Sequence, residues 1–440
     1  MKRAAGILLA GALFFNTITA SAVDWTAILN ERKAMINESS FELYYEGSVD
    51  SAPYYGAKYE PRGGTYFGCV TENEWDFDTP SGAYLTFLSG ADRQTDMYYP
   101  ANSMIKNGTA LGVIEYTAYN FEDFDINSFA QAMANLNSAG VPMIVSIMNE
   151  MNTNNMQYDS ARYVTLFRQA ADIVHRYPNL AVAWTPIALG SLDKSFEEFY
   201  PGDQYVDWLG LSMFDIHKFM GNVNTTDTEA SYFMTGNYSW ATNRIKPFMQ
   251  FVQRNNIQKP IAIIQGGVAN QTLASGNIDS WAIPRLRNMY YDLIMKYPQI
   301  KMINYFNVKL AAAEAESFHF VGKPYLADIV DEAASCGAYI TAYGTQPKFV
   351  FRNASLAGSD QAENGYVPVY VQAYIPGSET NMVHFKIDGT WYHCTDKAPY
   401  KCLMNVTALA DGAHTVTAEC GGYSRTASFY KSGNTITFGI

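Results

Sequence analysis

The stretch VPMIVSIMNEMN, residues 141–152, is a short continuous apolar run that breaks into polar residues at Asn149, Glu150 and Asn152. Such a run reads as a buried strand with its polar groups gathered at the C-terminal end. Working outward, runs of the same kind begin at Thr65 (TYFGCVT), Ala83 (AYLTFLS), Leu111 (LGVIEYTAY), Leu180 (LAVAWTP), Val206 (VDWLGLSMF), Pro260 (PIAIIQG) and Lys301 (KMINYFNV). Longer amphipathic stretches separate them. Residues 160–177, for instance, place Tyr163, Phe167, Ala170, Ala171 and Val174 on one helical face, and Pro178 and Asn179 stop the helix. Eight buried strands alternating with helices over residues 65–335 predict a (β/α)8 TIM barrel, an α/β fold for which about 250 residues is typical. The rival architecture, an open doubly wound sheet, calls for a glycine-rich phosphate loop after the first strand, and none is present.

Past Gly337 the texture changes to period-two alternation, as in VPVYVQAYI and SRTASFY, with turns at Asp388-Gly389 and Asp411-Gly412. This predicts a small all-β, immunoglobulin-like sandwich over residues 346–440. Residues 23–64 are expected to pack as a helix and a cover across the barrel.

Lys2 and Arg3 precede an apolar run over residues 4–15, and Ala20-Ser21-Ala22 forms a small-residue cleavage site, so residues 1–22 read as a secretory signal peptide. The run falls short of the roughly 20 residues needed to span a bilayer, so secretion without a membrane span is the expectation. A net charge of -12 argues against nucleic acid or an acidic membrane as partner and leaves neutral polysaccharide compatible. The odd set Cys69, Cys336, Cys394, Cys402 and Cys420 lacks the histidines or paired CxxC of a zinc site, so no metal and no cofactor is expected. In an oxidising exterior the simplest disulfide joins Cys394 to Cys402 across a short hairpin.

Counting strands as above, Glu150 ends the fourth and Gln265 ends the seventh, so the two face each other across the barrel mouth. The motifs NEMN (149–152), AWTP (183–186), YPGDQYVDWLGLSMF (200–214), KPIAIIQGG (259–267) and IKMINYFN (300–307) together resemble the family 26 glycoside hydrolases, best known as endo-β-1,4-mannanases. The resemblance implies β-mannan or a related β-glycan as partner, Glu150 as general acid/base, and Gln265 at the position of the catalytic nucleophile. It also exposes departures. Asn149 stands where the family has histidine, Phe214 where it has a tyrosine beside the nucleophile, Tyr305 where tryptophan is frequent, and Ile187 where asparagine is common.

Glycosidic cleavage with retention needs two carboxylates, one to donate a proton and one to attack the anomeric carbon. An amide is uncharged and not basic near neutral pH, so Gln265 predicts retaining hydrolysis lost or strongly impaired. Candidate sugar-binding residues are Trp75, Asn149, Trp184, Phe214, Asp215 and Tyr305, with Glu115 and Tyr116 as further candidates for the cavity. The plainer readings are core packing for Trp184 and Phe214 and a solvated rim carboxylate for Glu150. Two alternatives stand beside the binding reading. One is an active endo-β-glycanase that keeps Glu150 as acid and recruits Asp215 or Glu314 as base; the other is a non-catalytic scaffold with a filled, apolar mouth.

Overall fold

The computed structural model describes residues 23–71, 77–89, 105, 107–118, 120–153, 159–189, 194–218, 224–273, 275–309, 316–378 and 381–439. Residues 1–22, Trp75 and Glu314 lie outside the described residues. Helix α1 (Trp25–Asn37) and strand β1 (Ser40–Gly47) come first. The barrel follows as β2 (Thr65–Thr71), β3 (Ala83–Ser89), β4 (Leu111–Thr117), β5 (Met143–Ile147), β6 (Leu180–Trp184), β7 (Trp208–Asp215), β8 (Ile261–Val268) and β9 (Ile300–Asn307). All neighbours pair in parallel, and β9 pairs with both β8 and β2, which closes the eight-stranded barrel. These are the strands that the apolar runs predict. β4 to β9 are buried along their whole length, the pattern of strands covered on both faces.

The helices form where caps and amphipathic spacing coincide. Residues Ser160–Val174 start at Asp159, whose carboxylate accepts from the Arg162 amide at 2.9 Å. Tyr163, Phe167, Ala170, Ala171 and Val174 turn inward. At the N-terminal end of the barrel, Lys58 Nζ donates to the carbonyls of Tyr177 and Leu180, and Trp208 Nε1 donates to the Lys58 carbonyl at 2.8 Å. That end is therefore stoppered by the segment before β2.

The strands of the C-terminal region past residue 349 are β10 (Val350–Asn353), β11 (Gly358–Gln361), β12 (Tyr366–Tyr374), β13 (Val383–Ile387), β14 (Thr390–Thr395), β15 (Cys402–Asn405), β16 (Gly412–Cys420), β17 (Tyr423–Ser432) and β18 (Thr435–Phe438). With β1, they form two antiparallel sheets, ordered β10-β1-β12-β15 and β11-β18-β17-β16-β13-β14. Leu43, Tyr45, Val369, Phe385, Val416, Phe429 and Phe438 fill the space between them. One expectation is corrected here. Residues 40–47 are not a separate cover on the barrel; β1 is a strand of the sandwich, antiparallel to both β10 and β12, and only Tyr44 on its other face joins the barrel's buried cluster. Its alternating SFELYYEG sequence buries Phe41, Leu43 and Tyr45 in the sandwich core, which a cover on the barrel would not require.

The expected Cys394–Cys402 disulfide is also absent. Cys394 is exposed on β14 and Cys402 is buried on β15, strands that belong to different sheets and not to the two arms of one hairpin.

Candidate active site

β5 ends in a forced turn. Met148 and Glu150 both adopt left-handed backbone angles, φ 47° and 59°, which cost an L-residue with a Cβ about 1–2 kcal/mol each. Three contacts hold the turn against that cost. The Glu150 amide donates to the Thr185 carbonyl at 2.8 Å, and the Met148 amide donates to the Tyr116 carbonyl at 3.0 Å. Asn152 grips Ile187 from both sides, its amide donating to the Ile187 carbonyl and its Oδ1 accepting from the Ile187 amide, each at 2.9 Å. The polar residues of NEMN and AWTPI thus lock two strand ends together.

Side chains alternate along a strand, and residues paired in a parallel sheet point to the same face. Ser212 on β7 and Gln265 on β8 are register partners, after a shift between Leu211 and Ser212. Gln265 Nε2 donates to Glu150 Oε1 at 2.9 Å and to Ser212 Oγ at 3.2 Å. Glu150 and Gln265 therefore meet inside the barrel, in direct contact. An amide can approach a carboxylate this closely because it brings a donor and no like charge.

Glu115 on β4 completes the polar centre. It is fully buried, and neither carboxyl oxygen has a hydrogen-bond partner among the described residues. Burial first, and then the nearby Glu150 charge, raise its pKa well above the usual carboxylate range and favour the protonated form. Burial also pushes Glu150 up to about 7, against the hydrogen bonds from Ser212 and Gln265 that favour its ionised form. A carboxyl titrating there is poised to deliver a proton. Ser146 Oγ donates to Thr185 Oγ1 at 2.7 Å beneath this group.

Phe214 sits two residues past Ser212 on the same face. Its ring lies 5.8 Å from Phe306 and 4.9 Å from Phe318, and it is buried. Asn149 is buried within the same turn as Glu150.

Four sequence-derived candidates point elsewhere. Trp184 lies between the inward-facing Ala183 and Thr185 and packs its ring 5.0 Å from Tyr200 and 5.7 Å from Phe251, in the layer between strands and helices. Tyr305 stacks on Phe320 at 4.6 Å and donates to the Phe318 carbonyl at 2.9 Å, again outside the barrel interior. Asp215, one residue past Phe214, turns away from Glu150 and accepts from Ser239 Oγ at 2.9 Å. Burial raises its pKa while Arg244 and Arg285 oppose that rise. It is not placed to act as a base opposite Glu150. Tyr116 packs edge-on against Phe129 at 4.9 Å, also on the helix side. Ser212 and Thr185 were not singled out from the sequence, and Asn152 was named there without a role. The signal for Ser212 was a lone hydroxyl in an apolar strand, two residues from Phe214.

Residues 67–275 match the family model of glycosyl hydrolase family 26. The chain is also similar to solved structures. One is a modular endo-β-1,4-mannanase from Cellulomonas fimi, at 13% identity over 87% of this chain and 98% of that one, with a TM-score of 0.45. Others are a β-mannanase from Bacteroides ovatus, at 13% identity over 73% and 96% with a TM-score of 0.43, and a Bacillus subtilis mannanase, at 13% over 73% and 92% with a TM-score of 0.40. No curated protein matches the chain.

Proposed function

We propose that this is a secreted carbohydrate-binding protein with a family-26-like barrel, taking β-mannan or a related β-glycan, in which retaining hydrolysis is lost or strongly impaired. The hydrogen bond from Gln265 Nε2 to Glu150 Oε1 carries the reading. Glu150 can protonate a leaving oxygen, but the group beside it is a neutral donor. Without an anion at position 265 no glycosyl-enzyme intermediate forms, and the mechanism stalls at its first step. Phe214 supports the same conclusion, because a hydroxyl that orients a nucleophile has no task here.

A reducing-sugar assay on mannans and mixed-linkage β-glucans, run beside an affinity gel with the same polymers, tests this. Retardation without cleavage is the expected result; brisk cleavage with retained anomeric configuration would refute it. The contacts of Phe214 with Phe306 and Phe318 favour a second reading, a scaffold with an apolar mouth and no sugar ligand. Neither cleavage nor barrel-dependent retardation is its signature.

A further inference from the structure

The six-stranded sheet of the sandwich has one face in the core and one in solvent. Phe385, Val416, Phe429 and Phe438 mark the inner face, so alternation turns their neighbours outward. On β17 the outward residues are Ser424, Thr426, Ser428, Tyr430 and Ser432, all exposed. Their register partners are Thr417 and Thr415 on β16 and Thr437 and Thr435 on β18, followed by Ser359 and Gln361 on β11. The one further partner on β16, Glu419 opposite Ser424, is charged, and it is neutralised by Lys386 at 2.8 Å, which stands between Thr417 and Trp391. Asp388 accepts from the Thr415 amide beside the rows, and the other side chains named carry no charge.

The face is also pre-set. Thr417 and Thr426 hydroxyls bond across strands at 2.8 Å, Ser359 and Thr437 at 3.0 Å, and Gln361 Nε2 donates to Thr435 Oγ1 at 2.7 Å. Cross-strand bonds of this kind fix rotamers before any ligand arrives, which lowers the entropy cost of binding. Two exposed aromatic rings flank the rows. Trp391 is 62% exposed on edge strand β14, beside Lys386, and Tyr430 is 48% exposed on β17. They stand three strands and four residues apart, a diagonal of about 20 Å.

We propose that this face is a second, barrel-independent binding surface for a neutral polysaccharide chain. Charge complementarity commits it to that occupant. A face whose lysine and glutamate are already paired with each other offers little to nucleic acid or to a charged protein surface, while rows of hydroxyls that both donate and accept match the hydroxyls of a neutral sugar. The exposed rings supply the apolar platforms on which pyranose faces stack.

The test is affinity electrophoresis of the full chain in gels containing galactomannan, glucomannan or mixed-linkage β-glucan. Trp391→Ala combined with Tyr430→Ala should weaken retardation about tenfold in at least one of the three gels. Ser428→Glu, which sets a charge in the middle of the face, should weaken it as well. Wild-type retardation should persist at raised salt, since no ion pair is involved. All three positions are exposed, and unchanged thermal unfolding confirms that the variants fold. Retardation equal to wild type in both variants, or no retardation of the wild type in any gel, overturns the proposal. So does a wild-type dimer that the double variant dissociates, because a second copy would then be the occupant.

Discussion

Gln265 Nε2 lies 2.9 Å from Glu150 Oε1, so the position expected for a nucleophile instead donates a hydrogen bond to the acid. Gln265→Glu would replace that donor with a second carboxyl in contact with Glu150, and like charges this close share one proton. Wild type is expected to cleave β-mannan very slowly or not at all, and Gln265→Glu to recover only part of the activity. The triple change Gln265→Glu, Phe214→Tyr and Asn149→His should exceed the single one, since poorly oriented groups forfeit orders of magnitude in rate. A single variant as fast as the triple would show that orientation by positions 149 and 214 is irrelevant.

Glu115 makes stability depend on pH. Its folded pKa is raised, so wild type and Glu115→Gln should unfold alike near pH 3, where the carboxyl is protonated in both states. Above the unfolded value of about 4.3 the unfolded carboxyl ionises while the folded one does not, and wild type loses up to ~1.4 kcal/mol per pH unit relative to the variant. Glu115→Gln should therefore have the higher Tm at pH 7 by several degrees, with the gap widening from pH 5 upward. A gap independent of pH would mean that the carboxyl is not held neutral.

The left-handed angle of Glu150 predicts an inversion of the usual ranking of glycine and alanine. Glu150→Gly should be more stable than Glu150→Ala by about 1 kcal/mol, because glycine carries no Cβ penalty at positive φ. Urea titrations of the two variants decide it; an alanine variant that is the more stable would place the turn in another conformation.

Trp184 tests which face of β6 meets a ligand. Trp184→Ala should cost about 3–5 kcal/mol in stability, as expected for a large ring removed from a core. Sugar retardation per folded molecule should be unchanged. A stable variant that no longer binds would return the residue to the cavity.

The sandwich should not fold from residues 346–440 alone. That fragment lacks β1, the strand between β10 and β12, and leaves two sheet edges and an apolar face open. Near-UV circular dichroism of the isolated fragment should show no fixed aromatic packing. A sharp, cooperative unfolding transition would contradict this.

The sequence alone determined the barrel, because strands buried on both faces are written as continuous apolar runs and each run is a local property. It also determined the chemistry available at position 265, since an amide is an amide in any fold. The side to which strand-end residues turn was partly legible. Alternation from Ala183 and Thr185 would have turned Trp184 outward, and alternation from Phe214 would have turned Asp215 toward Ser239. The phase at β7 and β8, however, depends on the register shift beside Ser212, which has no sequence signature. Tertiary structure decided what the acid touches, because Glu115, Glu150, Ser212 and Gln265 converge only when four strands close. It also decided the membership of β1. Ser40 pairs with Tyr374 across more than three hundred residues, and pairing over such a distance leaves no trace in the local pattern of either strand.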